Sequence, residues 1–118
     1  MAGSLVRQGR SLVAFGSTLT NIAAGATATI NVPVSEAGIL GRMVVAAGAN
    51  LQNLTIDRIE LNNDLLQSGA STSGELWGAT SFYNSAFAIP VAVNDRLNIT
   101  ITNTGAAAAA TVVSFTAA

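Results

Sequence analysis

The sequence predicts an all-β fold, an antiparallel β-sandwich for which a single jelly roll of about eight strands is the favoured topology. Apolar and polar residues alternate with a period of two rather than 3.6, which is typical of half-buried strands. Clusters of Gly, Asn, Asp and Ser separate these segments at a spacing of roughly 8–12 residues, as in sandwich proteins. An immunoglobulin-like sandwich is the second architecture that fits, although the Cys and Trp pattern of that family is missing.

Three segments show the alternation most clearly, and we expect their apolar side chains on the core face. These side chains are Ala28, Ile30, Val32 and Val34; Phe87, Ile89, Val91 and Val93; and Leu97, Ile99 and Ile101. The other candidate strands are residues 11–19, 41–47, 54–61, 80–83 and 111–116. The alanines of residues 106–110 are too few to nucleate a helix and are expected to form a flat strand or a close-packed turn.

Turn residues and breaks in the pattern refine this assignment. Asn94 and Asp95 lie between two alternating segments, which predicts a tight hairpin turn. Pro90 cannot donate to a strand ladder, so its strand is expected at a sheet edge or a bulge. Within residues 54–61 the apolar positions change parity, which a bulge near Asp57 and Arg58 would explain; a strand buried on both faces is the alternative.

A long stretch, residues 62–78, is expected to be irregular. Its first residues, Asn62, Asn63 and Asp64, offer oxygen ligands of the kind that Ca²⁺ accepts, but without the spacing and ligand count of an EF-hand. Asn and Asp also supply turn geometry, and we favour that interpretation.

Aromatic residues follow this stretch. Trp77 and Tyr83, with Phe82 between them, could form an interface anchor or a sugar-stacking platform. The alternative is that they fill the core. Trp77, with Glu75 beside it, is the best candidate for an exposed aromatic residue.

Residue types exclude most catalytic chemistry. The chain has no His and no Cys, and its basic residues are all Arg, so a nucleophile lacks its usual base and a transition metal lacks its usual ligands. The carboxylates that could form a catalytic pair are Asp57, Glu60, Asp64, Glu75 and Asp95. Isolated carboxylates are usually only solvated, and we therefore predict a protein without enzymatic activity, metal or cofactor.

The low charge content indicates a protein whose surface is in contact with other proteins. Charged residues make up 9% of the 118 residues, against about 25% in a typical soluble domain, and the net charge is −1. So few charges favour association. The scattered Arg residues do not form the basic footprint that sequence-specific nucleic-acid binding requires.

The chain organisation predicts one domain and one arm. We assign residues 1–10 to an N-terminal arm and residues 11–118 to a single sandwich domain. Arg7 and Arg10 make the arm a candidate contact to a neighbouring subunit, to nucleic acid or to lipid headgroups, with avidity supplied by many copies. A frayed terminus is the alternative.

The whole chain resembles small bacteriophage virion proteins of the single jelly-roll capsid type or the β-sandwich decoration type. The resemblance is carried best by residues 89–101, an Ile-Pro-Val-Ala-Val-Asn-Asp-Arg-Leu-Asn-Ile-Thr-Ile segment, and by the short polar arm before Thr- and Asn-rich strands. It implies a homo-oligomeric structural protein of the virion that contacts other copies of itself and other virion proteins. Arg7, Arg10, Trp77 and Tyr83 are the candidate interface residues.

A second function class stays open at this point. A carbohydrate-binding or adhesive β-sandwich of a fibre or cell surface would use the region of Trp77 and residues 62–64. The low charge content favours the virion subunit.

Overall fold

A computed structural model describes residues 13–67, 72–78 and 86–117, and these residues form strands with two short 3₁₀ helices. The strands are β1 (Val13–Gly16), β2 (Thr20–Ile22), β3 (Thr27–Pro33), β4 (Gly38–Ala46), β5 (Leu54–Leu61), β6 (Asp64–Gln67), β7 (Thr72–Ser73), β8 (Ala86–Val91), β9 (Arg96–Asn103) and β10 (Ala109–Ala117). The 3₁₀ helices are η1 (Gly48–Asn53) and η2 (Gly74–Trp77). Within the described ranges no helix is long and apolar enough to cross a membrane.

The strands form two antiparallel sheets. Sheet A has the order β3-β9-β5-β6, and β7 also pairs with β5. Sheet B has the order β1-β10-β4-β8, and β2 also pairs with β10. The prediction of an antiparallel β-sandwich is confirmed.

The pairings are nested along the chain. Strands β1 and β2 pair with the last strand, β10; β3 pairs with β9; β4 pairs with β8; and β5 pairs with β6 and β7. Since β1 with β2 and β6 with β7 each occupy one position in their sheet, the described strands fill eight positions of the sandwich. Each sheet takes strands from both halves of the chain, so neither sheet can form without contacts between distant residues.

Apolar side chains from both sheets fill one core. The largest fully buried side chains include Phe115, Ile22, Leu40, Met43, Leu54, Ile56, Ile59, Leu97, Ile99 and Ile101. The alternation in β9 is regular: Leu97, Ile99 and Ile101 are buried, and the residues between them lie on the outer face. Period-two patterning therefore predicted the core face of this strand correctly.

The predicted bulge in β5 is confirmed. The register with β9 shifts between Thr100, which pairs with Arg58, and Ile101, which pairs with Ile56. Asp57 is thus the additional residue. Because of it, Ile56 and Ile59 both reach the core although their positions differ in parity.

The predicted hairpin at Asn94 and Asp95 is wrong. A turn is present, but β8 before it pairs with β4 in sheet B, and β9 after it pairs within sheet A. The turn therefore connects the two sheets. Val93 is 53% exposed because it belongs to this turn and not to the core face. As expected from Pro90, β8 is an edge strand, and its register with β4 is shifted.

Other boundaries differ from expectation. The single strand predicted at residues 11–19 is β1 followed by a break, with the separate strand β2 beginning at Thr20. Residues 62–78 are more regular than predicted, since they contain β6, β7 and η2. The strand predicted at residues 80–83 and the arm of residues 1–10 lie outside the described residues, as does the side chain of Phe87. Residues 105–107 form a bend, and Ala109 and Ala110 begin β10.

Candidate functional site

The outer faces of the two sheets differ in chemistry. We call the outward side chains of sheet A the polar face: Thr27, Thr29, Asn31, Pro33, Thr55, Asp57, Arg58, Glu60, Arg96, Asn98, Thr100 and Thr102. We call the outward side chains of sheet B the neutral face: Asn21, Ile39, Arg42, Val44, Ala46, Pro90, Ala110, Val112, Ser114 and Thr116. Of these neutral-face residues, Arg42 alone carries a charge.

Hydrogen bonds run across the polar face and keep its side chains in place. The Thr27 and Thr102 hydroxyls lie 2.9 Å apart, and the Thr102 hydroxyl donates to Asp57. Thr55 also donates to Asp57, at 3.2 Å. The bulged carboxylate therefore accepts from two strands, which explains how an acidic residue is accommodated in the centre of the sheet.

The remaining charges of the polar face are paired or separated. Arg58 and Glu60 form an ion pair with a distance of 3.0 Å between Nη2 and Oε2. Asn31 donates its side-chain amide to Asn98 at 2.8 Å. The Arg58–Glu60 and Asn31–Asn98 pairs therefore use these polar groups within the sheet, and the polar face is an ordinary solvated surface.

The centre of the neutral face consists of small or half-buried side chains on β4 and β10, the central strands of sheet B. Val44 and Ser114 are cross-strand partners, as are Ala46 and Val112, and the outward Ala110 lies opposite Asn21. Depletion of charge, more than bulk hydrophobicity, distinguishes the centre of a protein interface from the rest of a surface. The neutral face has this property, and residues scattered over four strands create it.

One end of the sandwich is held together by an Asn–Asp cluster. Asn62 and Asn63 have φ values of 52° and 83° and form the two-residue turn between β5 and β6. Positive φ at both turn residues favours Asn, and this is the turn-geometry interpretation of residues 62–64. The Asn62 side chain donates to Asp95 at 2.9 Å and accepts from the backbone N–H of Arg96 at 2.9 Å.

Asp95 connects this cluster to the neighbouring turn. Its carboxylate accepts from the backbone N–H of Ala92 at 2.8 Å as well as from Asn62. These two hydrogen bonds hold the pKa of Asp95 below its ordinary value of 3.8, the bond from Ala92 contributing most. The arrangement is that of a structural carboxylate and not of a general acid, which needs a raised pKa.

The opposite end is held by a buried amide. Asn103 is 0% exposed. Its Nδ2 donates to the carbonyls of Ala107 at 2.8 Å and Ile22 at 3.0 Å, and its Oδ1 accepts from Gly105 N–H at 2.9 Å. The side chain thereby joins the end of β2 to the connection between β9 and β10 through backbone groups of both.

The predicted interface residues have different outcomes. Trp77 is 4% exposed and belongs to the core cluster, so the expectation that it is an exposed aromatic residue is wrong and the core-filling alternative holds. It enters the core because η2 lies against η1: Ser73 accepts from Glu75 N–H at the start of η2, and the turn directs Trp77 inward. Arg7, Arg10 and Tyr83 lie outside the described residues.

The candidate carboxylates do not converge. Asp57 and Glu60 take part in the polar-face contacts, Asp95 belongs to the end cluster, and Asp64 and Glu75 are exposed. In the described part of the chain, no group of three or more His, Cys, Asp or Glu residues could hold a metal ion. Sequence reasoning identified these residues but missed the neutral face and Asn103, whose positions depend on strand pairing.

Comparison with known proteins finds no matching family model, no matching curated protein and no matching solved structure.

Proposed function

We propose that this protein is a non-enzymatic structural subunit of a virion, acting through contacts between many copies as a capsid, vertex or decoration protein. The observation that carries the proposal is the neutral face, a broad sheet surface with one charged residue, Arg42, among its described side chains. A protein that works alone usually spreads charges of both signs over its surface.

The nested strand pairing supports the proposal at the level of fold. We infer that it is a single jelly roll, in which the chain is folded like a long hairpin and then rolled into two sheets. Jelly rolls occur in viral capsid proteins, lectins and cupins, so the topology alone does not select a function. The function must therefore be inferred from the chemistry of the surface side chains.

That chemistry favours assembly over glycan binding. The features that would serve a sugar site are already used inside the chain, since Trp77 is buried and Asn62 is bonded to Asp95. The neutral face offers a broad surface for contact with another protein, whereas a sugar site needs polar groups directed at the ligand. A stable contact between copies buries about 1,200–2,000 Å² in total, which a sheet face of this kind can supply.

Hydrodynamic size gives the direct test. We expect the purified protein to sediment as an oligomer, or to copurify with a virus particle in fixed stoichiometry. A monomer that is absent from particles and binds a glycan array specifically would overturn the proposal and support the carbohydrate-binding alternative.

A matched pair of charge substitutions tests the role of the neutral face. Ala110 is exposed on β10, a central strand of sheet B, and Thr100 lies outward on β9, a central strand of sheet A. We expect Ala110→Glu to reduce assembly without lowering the melting temperature. Thr100→Glu, which places its carboxylate opposite Arg58, is the control and should assemble normally. Equal effects of both variants would show that the neutral face has no special role.

A further inference from the structure

The sandwich has four open sheet edges among its described strands, and three of them are interrupted. At one edge of sheet B, β1 and β2 are separated by a break at residues 17–19. At its other edge, β8 contains Pro90 and a register shift. At one edge of sheet A, β6 and β7 are two short segments. Breaks, bulges, prolines and short strands are the devices by which proteins prevent an edge from pairing with another chain.

The fourth edge, β3, has none of these devices before its last residue. It runs without a break from Thr27 to Pro33, carries no charged residue and pairs with β9 in one continuous register. Pro33 stands at its last position, where it ends the strand without interrupting it. A seven-residue uncharged edge of this kind is competent to pair with another strand.

The hydrogen-bond phase of β3 identifies which groups face the open edge. Asn103 N–H donates to Ala26 O, and Val34 N–H donates to Asp95 O, each at 2.9 Å. Since hydrogen-bonded pairs alternate along an antiparallel ladder, the even-numbered residues of β3 bond to β9. The backbone N–H and C=O groups of Thr27, Thr29 and Asn31 therefore point away from the sheet.

We propose that β3 pairs antiparallel with β3 of a second copy of this chain, about a two-fold axis at Thr29. In this register Thr29 bonds to Thr29 of the second copy, and Thr27 bonds to its Asn31, so that every edge donor meets a carbonyl of the same three residues. Pro33, which has no N–H, falls opposite Gly25, beyond the last of these bonds. Sheet A then continues across the axis, with the polar face on one side and the cores on the other.

The geometry favours a second copy over an unrelated strand because the edge is self-complementary. Its outward side chains are Thr27, Thr29 and Asn31, which carry no charge and repel no identical strand. An isologous contact uses the same patch on both subunits, as this register does. The choice of a second copy as the partner of β3 rests on the proposed function, in which many copies of the chain contact one another.

A single introduced cysteine tests the register, because the natural chain contains no cysteine. In a hydrogen-bonded antiparallel pair the Cα atoms are about 5.5 Å apart, which a disulfide can bridge. We expect Thr29→Cys to form a covalent dimer under mild oxidation. Thr100→Cys is the matched control: it lies beside Thr29 on β9, so its symmetric mate is three strand spacings away, about 14 Å, and no cross-link should form.

A proline tests the hydrogen bonds. Thr29→Pro removes an N–H that faces the open edge and leaves the ladder to β9 intact, whereas Thr29→Val keeps the N–H. We expect Thr29→Pro to raise the dissociation constant of the dimer by about a hundredfold or more in sedimentation equilibrium, and Thr29→Val to leave it nearly unchanged. Equal melting temperatures of the two variants at a concentration where both are monomeric would show that the fold is intact.

The outcomes separate the two proposals. If the protein is oligomeric but Thr29→Cys gives no cross-link and Thr29→Pro does not weaken association, the edge pairing is wrong while the structural function stands. If deletion of residues 1–12 is required before any cross-link forms, the edge is covered within one chain, and the pairing is also wrong. A monomer that enters no particle overturns both.

Discussion

The side chain of Asn62 fastens two turns that are distant in sequence: its Nδ2 donates to Asp95 Oδ1 at 2.9 Å while its Oδ1 accepts from Arg96 N–H at 2.9 Å. One turn joins β5 to β6 within sheet A, and the other joins β8 to β9 between the sheets. The two bonds thus fix where the chain crosses from sheet B to sheet A. A residue with φ of 52° and an amide of this length is needed, which Asn supplies.

Asp95 should give the protein an acid-dependent component of stability. Its folded-state pKa lies below the ordinary 3.8, so its contribution is complete above that value and is lost as the pH falls through the folded pKa. We expect Asp95→Asn to be less stable than wild type at pH 7, with the difference shrinking below pH 3.8. Urea unfolding at a series of pH values measures this difference. A difference that stays constant with pH would contradict the assignment.

Removal of one donor should shift the Asp95 titration. Asn62→Gly keeps the positive φ at low cost and deletes the amide that donates to the carboxylate. We expect the NMR titration midpoint of Asp95 to rise toward 3.8 without reaching it, because the Ala92 N–H still donates. An unchanged midpoint would show that the side-chain bond does not form in solution.

The buried amide of Asn103 should not tolerate a carboxylate. In Asn103→Asp the donor that faces the carbonyls of Ile22 and Ala107 is replaced by an oxygen, and the buried carboxylate keeps the Gly105 N–H on one oxygen while the other faces two carbonyl oxygens. We expect a loss of at least about 3 kcal/mol at pH 7, measured by chemical denaturation. Asn98→Asp is the control, since Asn98 uses its oxygen to accept from Asn31 and an Asp keeps that bond. Comparable losses in both variants would contradict the role assigned to the Asn103 amide.

The sequence pattern predicted which face of β5 and of β9 is buried, because that property depends only on residues close together in the sequence. The alternation of Leu97, Ile99 and Ile101 follows from a two-residue period, and the parity change around Asp57 is visible in the sequence. Both features concern which side of one strand is buried. Neither requires knowledge of the partner strand.

Sheet membership could not be predicted in the same way. The residues between β8 and β9 predict a hairpin turn because Asn tolerates a positive φ. Asn94 does adopt a positive φ in the structure, of 76°. The identical turn can join two paired strands or two sheets, and long-range pairing with β4 and β5 decides between these. The Asn62–Asp95 bond and the neutral face depend on that same pairing, which is why the sequence showed their residues but not their association.

Deletion of Asp57 should be tolerated, whereas deletion of Glu60 from the same strand should not be. Without Asp57, Arg58 follows Ile56 directly, so the apolar residues of β5 share one parity and all stay on the core face, each opposite its present partner on β9. Without Glu60, Ile59 and Leu61 become neighbours, and one of them must leave the core at a cost of about 2–5 kcal/mol. Chemical denaturation should therefore show that the Asp57 deletion variant is folded and more stable than the Glu60 deletion variant. An unfolded Asp57 deletion variant would show that β5 depends on the bend of its bulge.

The close approach of η2 to the core should make any side chain at Gly74 destabilising. A Cβ at this position would lie 2.8 Å from the carbonyl oxygen of Leu51 and 3.1 Å from Cβ of Leu54, and the first of these is backbone that cannot rotate away. We expect Gly74→Ala to cost about 1–3 kcal/mol, the range for overpacking, because η2 must lift and withdraw Trp77 from the core. Trp77 fluorescence should shift to the red in the folded variant.

Gly41 provides the matched control for this steric argument. A Cβ there meets the Thr116 carbonyl oxygen at 3.5 Å, an ordinary van der Waals contact, so Gly41→Ala should fit without movement. Because alanine restricts the unfolded chain more than glycine does, its stability should equal that of wild type or exceed it by up to about 1 kcal/mol. If both variants lose the same stability, glycine flexibility and not the η2 contact explains the cost at Gly74, and the fluorescence of Trp77 should then remain unchanged.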